Sequence, residues 1–275
     1  MIEYLQHKGL SARAACRRSG QSRAVATYNL KGPAQDAEHL KILRRVVRYN
    51  PRYGYRRVAI KSGLSFGQSW RLWKRHNFQL APQRRRPKRQ PATGPNRPCQ
   101  AEHPSHVWTY DILYDRLADG HPFKTLSVLD EFTRECVAIF VAFSIRAENV
   151  IGVLHKIFRY HAAPEFLRSD NGSEFTADAV QAWLEQSQVG PAFIPPGQPW
   201  KNGFIESFHD KFRDECLQRE WFQSLPEAQM VIERWRKRYN TQRPHSALGY
   251  QTPAQFAAAY KNKCAESLTS TGHKK

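Results

Sequence analysis

The chain has 275 residues, 40% of them hydrophobic and 12% aromatic, so it can bury a real core and is not an unstructured tail. Its formal net charge is +19, and the excess is confined: residues 1–98 hold 23 Lys and Arg against 3 Asp and Glu, residues 99–275 hold 20 against 21. A strongly basic part joined to a near-neutral part points to a polyanion-binding region serving a second, separate one. The five cysteines (Cys16, Cys99, Cys136, Cys216 and Cys264) are scattered and never spaced C-x-x-C, which argues against a disulfide framework or a cysteine zinc site and for reduced thiols. No apolar run of about 18 residues predicts a membrane span, and Met1–Leu10 is too short and mixed for a signal peptide. A cytoplasmic location, at the nucleoid, is expected.

In chain order, Ser11 can cap a helix whose small apolar face is Ala15 and Cys16; Gly20 breaks it, and Ser22 can cap a second helix carrying Arg23, Val25 and Tyr28. Two short helices about a glycine turn form a helix-turn-helix pattern. Residues 37–50 form an amphipathic helix with Leu40, Leu43, Val46 and Val47 on one side and Lys41, Arg44, Arg45 and Arg48 on the other, ended by Pro51. Tyr53-Gly-Tyr-Arg-Arg57 and a helix near 67–76 complete a second small helical unit. Residues 1–80 are therefore expected to be a helical DNA-binding region. Its phosphate-contacting candidates are Arg17, Arg18, Arg23, Arg56 and Arg57. Residues 81–98, with five prolines and the cations Arg84, Arg85, Arg86, Lys88 and Arg89, read as a basic linker able to lie along phosphates.

The second domain begins near residue 99. Strands are predicted at 107–114, 123–130 and 136–144, the last two joined by a short turn and so expected to pair antiparallel. A helix at 147–161, a short strand at 165–169, a helix at 177–188, a strand at 191–194 and a long helix from about 203 to 221 follow. Three strands, then alternating helices and strands, make an α/β class with a mixed sheet. The core is expected over 99–222, with a C-terminal helical segment and tail over 223–275.

Three carboxylates occupy telling places: Asp111 on the first strand, Asp170 opening the turn after the fourth, and Glu206 near the start of the long helix. An attacked phosphodiester is already anionic, and clustered carboxylates can hold the divalent cations that neutralise it. Hard cations take oxygen ligands, so Mg2+ is expected, as two ions, with Mn2+ as a substitute. Asp115, Asp119, Asp130, Glu131 and Glu174 are rival carboxylates on spacing alone. Asp130 heads a turn, which suits a structural role, and Glu174 can brace the loop after Asp170.

From Val107 to Phe256 the sequence resembles the integrase-core transposases of bacterial insertion sequences, the family usually numbered three, and more distantly retroviral integrases. The matching pieces are Trp108-Thr-Tyr-Asp111, Val128–Cys136, Ser169-Asp-Asn-Gly-Ser-Glu-Phe175, Pro196–Phe208 with Arg213–Leu217, and the cluster Tyr239-Asn240, Arg243-Pro-His245, Leu248-Gly249, Thr252-Pro253 and Phe256. The resemblance implies a ribonuclease-H-like mixed sheet flanked by helices. It implies metal ligation by Asp111, Asp170 and Glu206, and a basic helper at Arg213, seven residues on from Glu206 and on the same helix face. It further implies hydrolysis at insertion-sequence ends followed by strand transfer from the freed 3′ hydroxyl, on double-stranded DNA, by a homo-oligomer. The family often fuses this reading frame to an upstream one that supplies a leucine zipper; no heptad stretch appears here, which is the pattern of the second-frame product. Two departures stand out: His209 replaces the family's usual Asn three residues after the glutamate, and Phe66-Gly-Gln-Ser-Trp70 replaces a basic pattern. The competing functions are a catalytically inactive DNA-binding repressor or transposase remnant, and a tyrosine recombinase built on Tyr239, Arg243 and His245, which would leave the carboxylates unexplained.

Overall fold

The computed structural model describes residues 1–22, 32–80, 100–170, 172–194 and 202–271. The chain divides into two compact units, Met1–Leu80 and Ala81–Lys275. The second helix expected from Ser22 and the basic linker of 81–98 lie outside the described residues. Among those described, no helix is long and apolar enough to cross a membrane.

In the first unit, helix α1 (Ile2–His7) is followed by α2 (Ala12–Ser19). Ser11 caps α2 by accepting the Ala14 N–H at 3.3 Å, and Gly20 closes it at φ 68, a left-handed conformation a side chain would strain. Ala15 and Cys16 are its buried face, as their spacing predicts. Helices α3 (Gly32–Tyr49), α4 (Tyr55–Ser62) and α5 (Phe66–Arg75) gather around Leu43, Tyr53, Val58, Leu72 and Trp73. The α3 helix starts five residues earlier than its periodicity suggests, because a proline such as Pro33 is tolerated in a first helical turn. Gln68, within the segment that departs from the family pattern, serves the helix locally. With Ser65 it makes a reciprocal capping box, its own N–H donating to Ser65 Oγ at 3.2 Å and its Oε1 accepting the Ser65 N–H at 3.1 Å. Ser69 Oγ donates to Tyr55 C=O at 3.0 Å and locks α5 to α4, while Asp36 on α3 receives Arg71 and Arg75.

The second unit is built on a five-stranded sheet in the order β3-β2-β1-β4-β5, with β1 (Val107–Arg116), β2 (Pro122–Asp130), β3 (Cys136–Ala142), β4 (Phe166–Ser169) and β5 (Gly190–Phe193). The β1–β2 and β2–β3 pairs are antiparallel; β1–β4 and β4–β5 are parallel. Helices α6 (Ala147–Phe158), α7 (Ser173–Thr176, one turn) and α8 (Asp178–Gln186) supply the crossovers that parallel pairing requires. Strand alternation splits the core in two. Trp108, Tyr110, Leu126 and Val128 face α6 and α8; Leu113, Phe123 and Leu129 face helices α9 (Gly203–Glu215) and α10 (Leu225–Gln242). Asp130 is the structural turn residue its position suggests, its carboxylate accepting the N–H groups of Phe132, Thr133 and Ser105 at 2.8–2.9 Å.

The helix expected over 203–221 ends at Glu215. Cys216 leaves helical geometry at φ −128, ψ −72, and a 3-10 turn, Leu217–Arg219, follows, so that Cys216, Leu217 and Phe222 all enter the core below the sheet. Packing does not stop at 222: Ala228, Ile232, Trp235 and Tyr239 of α10 belong to the same cluster. Asn240 clasps β3 from 104 residues away, accepting the Cys136 N–H and donating to its C=O, both at 2.9 Å. A last helix, α11 (Pro253–Thr271), sets Phe256 and Tyr260 against Phe132. Cys16, Cys136 and Cys216 are buried free thiols and Cys264 an exposed one.

Candidate active site

Asp111 sits mid-strand on β1, paired with Ser127 of β2, and on the same face as Thr109, Leu113 and Asp115, the face that α9 covers. Asp170 follows the last residue of β4, which runs parallel to β1, so that the two carboxylates reach the same region of the sheet. Asp170 turns the chain by accepting the Gly172 N–H on Oδ1 at 3.0 Å. A Cβ at 172 would stand 3.1 Å from that oxygen and 3.3 Å from the Phe175 ring, so glycine lets the backbone come this close.

Glu206 arrives on the first turn of α9. Asn202 occupies the N-cap but does not use its side chain as a cap; its Oδ1 accepts Thr109 Oγ1–H at 2.8 Å, with both residues buried. The hydrogen bond fastens the start of the helix two residues from Asp111. From there α9 runs in the same direction as β1. His209 lies beside Asp111, Nδ1 to Oδ2 3.6 Å, while Arg213 acts electrostatically on Asp115, and Asp115 in turn on Cys216. Seven helical residues rise about 10 Å and four strand residues about 13 Å, so the two elements keep step.

The electrostatics follow from this convergence. Burial first, against the pull of the Ile112 N–H at 2.7 Å, and then the charges of Asp170 and Glu206 push the Asp111 carboxyl up to about 7. Three acidic groups drawn together in a partly dry place form a site that favours added positive charge. His209 does not supply that charge: burial, and then Arg213, hold its imidazole down at about 4, so the ring is neutral. Of the rival carboxylates, Glu131 is buried in a bidentate pair with Arg168 at 2.7 and 2.8 Å, and Glu174 meets Lys124 at 3.0 Å. Neither is spare for a metal.

Arg213 is exposed, nearly two turns of α9 beyond Glu206. Arg17 and Arg18 lie exposed on the last turn of α2. Arg56 and Arg57 stand over the rings of Tyr55 and Tyr53 at 5.7 and 5.8 Å. Arg23, Arg84, Arg85, Arg86, Lys88 and Arg89 lie outside the described residues. Tyr239 is buried among Phe208, Trp235 and His245, and burial drives its hydroxyl above its ordinary range. Arg243 is held by Glu215 in three contacts of 2.6–3.0 Å. The tyrosine nucleophile considered from sequence is thus structural. Sequence reading missed Thr109 and Asn202; alternation from Asp111 already places Thr109 on the site's face, but only the fold brings Asn202 across 93 residues to meet it.

Residues 101–199 and 187–253 match the integrase core domain family, and those two segments contain Asp111 and Asp170, and Glu206, respectively. The chain is 36% identical over 269 residues to an uncharacterized 39.2 kDa protein of insertion element IS476 from Xanthomonas euvesicatoria, a match spanning 96% of this chain and 77% of the relative. It is 36% identical over 255 residues, 92% of each chain, to an uncharacterized 31.7 kDa protein of insertion element IS407 from Burkholderia multivorans. The chain belongs to the integrase-core transposases of insertion elements. Its function is that of a DNA transposase, and its enzyme class that of a DDE-type polynucleotidyl transferase. The transposase fold is also similar to a chain in the structure of the simian T-cell lymphotropic virus intasome bound to the PP2A regulatory subunit B56 gamma, with a TM-score of 0.52 at 14% identity over 78% of this chain and 74% of the other.

Proposed function

We propose that Asp111, Asp170 and Glu206 hold two divalent cations, Mg2+ in the first place with Mn2+ as a substitute, and that the transposase uses them to cut at the ends of its element and to join the freed 3′ hydroxyl to a second phosphate. The observation that carries this reading is the convergence of three acidic groups, Asp111 mid-strand on β1, Asp170 at the end of the parallel β4 and Glu206 on the first turn of α9, close enough for the charges of Asp170 and Glu206 to raise the Asp111 carboxyl beside the larger effect of its burial. Carboxylate oxygens are the donors hard cations prefer, and neither thiolate nor charged imidazole competes among them. When bound, such ions supply activation of the attacking oxygen and neutralisation of the phosphate.

The chain's own residues do the rest. The Thr109–Asn202 bond fixes where Glu206 enters the site. His209, neutral and buried, keeps bulk water away from one side of Asp111 without adding a charge. Arg213, exposed and nearly two turns beyond Glu206, is positioned to grip a phosphate of the element end rather than to touch a cation it would repel. The basic helical unit and the 81–98 segment bind the double-stranded ends, and a homo-oligomer brings two ends together, fused to or joined by an upstream-frame protein where the element encodes one.

The test is a cleavage assay on a duplex carrying an element end. Mg2+-dependent nicking that disappears with chelator is the expected result. Tight, selective binding with intact strands at every Mg2+ and Mn2+ concentration would leave the inactive repressor or remnant as the correct reading.

A further inference from the structure

We propose that His103, His106 and Glu165 form a second cation site, for zinc or a similar late first-row divalent ion, at the end of the β1–β4 pair opposite the carboxylates. His106 immediately precedes β1, His103 stands three residues before His106, and Glu165 immediately precedes β4. The parallel ladder holds them together: the Glu165 N–H donates to Ser105 C=O at 3.1 Å and the Phe166 N–H to His106 C=O at 2.9 Å. The two imidazole rings stack with centroids 4.7 Å apart and planes 9° apart. His103 Nε2 lies 3.1 Å from Glu165 Oε1 and His106 Nε2 lies 3.9 Å from Oε2, and one ligand atom from each residue can be chosen so that all lie within 4.8 Å of one another. Tetrahedral zinc with bonds of about 2.0–2.2 Å sets neighbouring ligand atoms roughly 3.3–3.5 Å apart, inside the spread found here.

At His103, Nδ1 lies 3.1 Å from Pro104 C=O, which only accepts, so Nδ1 donates there and Nε2 is the ring atom turned to the Glu165 carboxylate. A ring N–H anchored on a backbone carbonyl, with the other ring nitrogen turned to a carboxylate oxygen 3.1 Å away, is the usual support of a metal-binding histidine. His106 Nδ1 accepts the Glu102 N–H at 3.1 Å. Ligation through Nε2 moves the His106 proton to Nδ1 and releases that exposed N–H to water, with no net proton lost from the ring. Glu165 and His103 are open to solvent, which gives an ion a way in and a water room as fourth ligand. Asp111 is five strand residues beyond His106, about 16 Å along β1, so the two sites share no ligand. Imidazole donors at one end and carboxylates at the other select different ions. A bound ion would staple the starts of β1 and β4, where the core follows the basic segment.

The experiment uses the untagged full-length chain with Asp111→Asn, which disables the carboxylate site, stripped of metal and titrated with Zn2+ against a chromophoric chelator, then with Co2+ for its visible absorption. One equivalent of Zn2+, and the absorption of a four-coordinate Co2+ centre, are expected. Both should be lost on adding His103→Ala, His106→Ala or Glu165→Gln, and kept on adding His121→Ala. Retention of that equivalent in the His103 and Glu165 variants, or no bound equivalent in Asp111→Asn itself, overturns the proposal. Should a variant fold poorly by circular dichroism, thermal melting of Asp111→Asn alone decides: a higher Tm with Zn2+ than with equal Mg2+ supports the site, and equal melting overturns it.

Discussion

In the helical unit of residues 1–80, cations such as Arg17, Arg18, Arg44, Arg45 and Arg56 are exposed, and the apolar cluster is a small one of Leu43, Tyr53, Val58, Leu72 and Trp73. In the sheet unit the charges of the proposed site are carboxylates, set against two large apolar clusters, with buried ion pairs such as Glu131–Arg168 and Glu215–Arg243 nearby in the fold. Exposed charge in high dielectric acts through number and is weakened by salt. Charge that is partly buried and held by hydrogen bonds acts through position, and its energetics change steeply with each neighbour. Under the proposed function, the difference teaches that affinity for DNA and chemistry on DNA rest on different physics in different units, and so should be separable by mutation.

The strongest way to break that comparison is to neutralise the site. Asp111→Asn, Asp170→Asn and Glu206→Gln keep shape but lose metal-holding charge; each should lower strand cleavage by ~10³-fold or more, the equivalent of several kcal/mol, with DNA affinity nearly unchanged. Near-normal cleavage in any of the three would remove that residue from the ligand set. Next in size, deleting residues 1–98 should erase most of the preference for element ends, which for specific DNA binders amounts to ~10³-fold or more. The salt slope of the remaining binding should fall by about 0.9 for each phosphate that is no longer neutralised. A truncated chain that still selects ends in a filter-binding series would relocate recognition to the core.

Arg243→Leu strips a partner from a buried pair and should cost about 3–5 kcal/mol in urea unfolding. A loss below about 1 kcal/mol would mean that α10 holds α9 by apolar packing alone. Arg213→Ala should reduce cleavage on the order of 10²-fold at unchanged stability and metal affinity, because a misplaced phosphate is expensive, and Arg213→Lys should keep much of the rate. Equal rates in all three proteins would leave Arg213 a surface residue. Smallest is Glu38→Gln, which breaks the exposed pair with Lys41 at 3.6 Å; it should shift stability by no more than about 0.5 kcal/mol, and a larger shift in chemical denaturation would contradict the surface character assigned to this unit.

Much of this was legible in the residues. Alternating apolar runs locate β1, β2 and β3, and the short Asp130–Arg134 turn dictates antiparallel pairing of the last two, while Asp111, Asp170 and Glu206 stand among rival carboxylates by spacing and are singled out by the family resemblance. Sheet order was not legible, because the pairing of β1 with β4 joins residues about sixty apart and no local signal specifies it. The early end of α9 was also hidden: the helical pattern continues through 217–221, but burial of Leu217 and Phe222 pulls the chain out of the helix. The rival status of Glu131 dissolved only when Arg168 was found beside it, 37 residues away. His209 was visible as a departure from the family pattern, yet its closeness to Asp111 depends on how α9 lies on the sheet.

The Thr109–Asn202 bond has a bearing on synthesis as well as on structure. Two of the three site carboxylates are translated by residue 170, but the third comes only with α9, and the clasp that holds α9 and α10 to the sheet is completed at Asn240 and Arg243. Domains fold as their segments leave the ribosome, and contacts this distant in sequence close last. A nascent chain therefore carries its basic part for most of its synthesis with the proposed cutting site incomplete, and sets the three carboxylates in place together only as its C-terminal helices emerge.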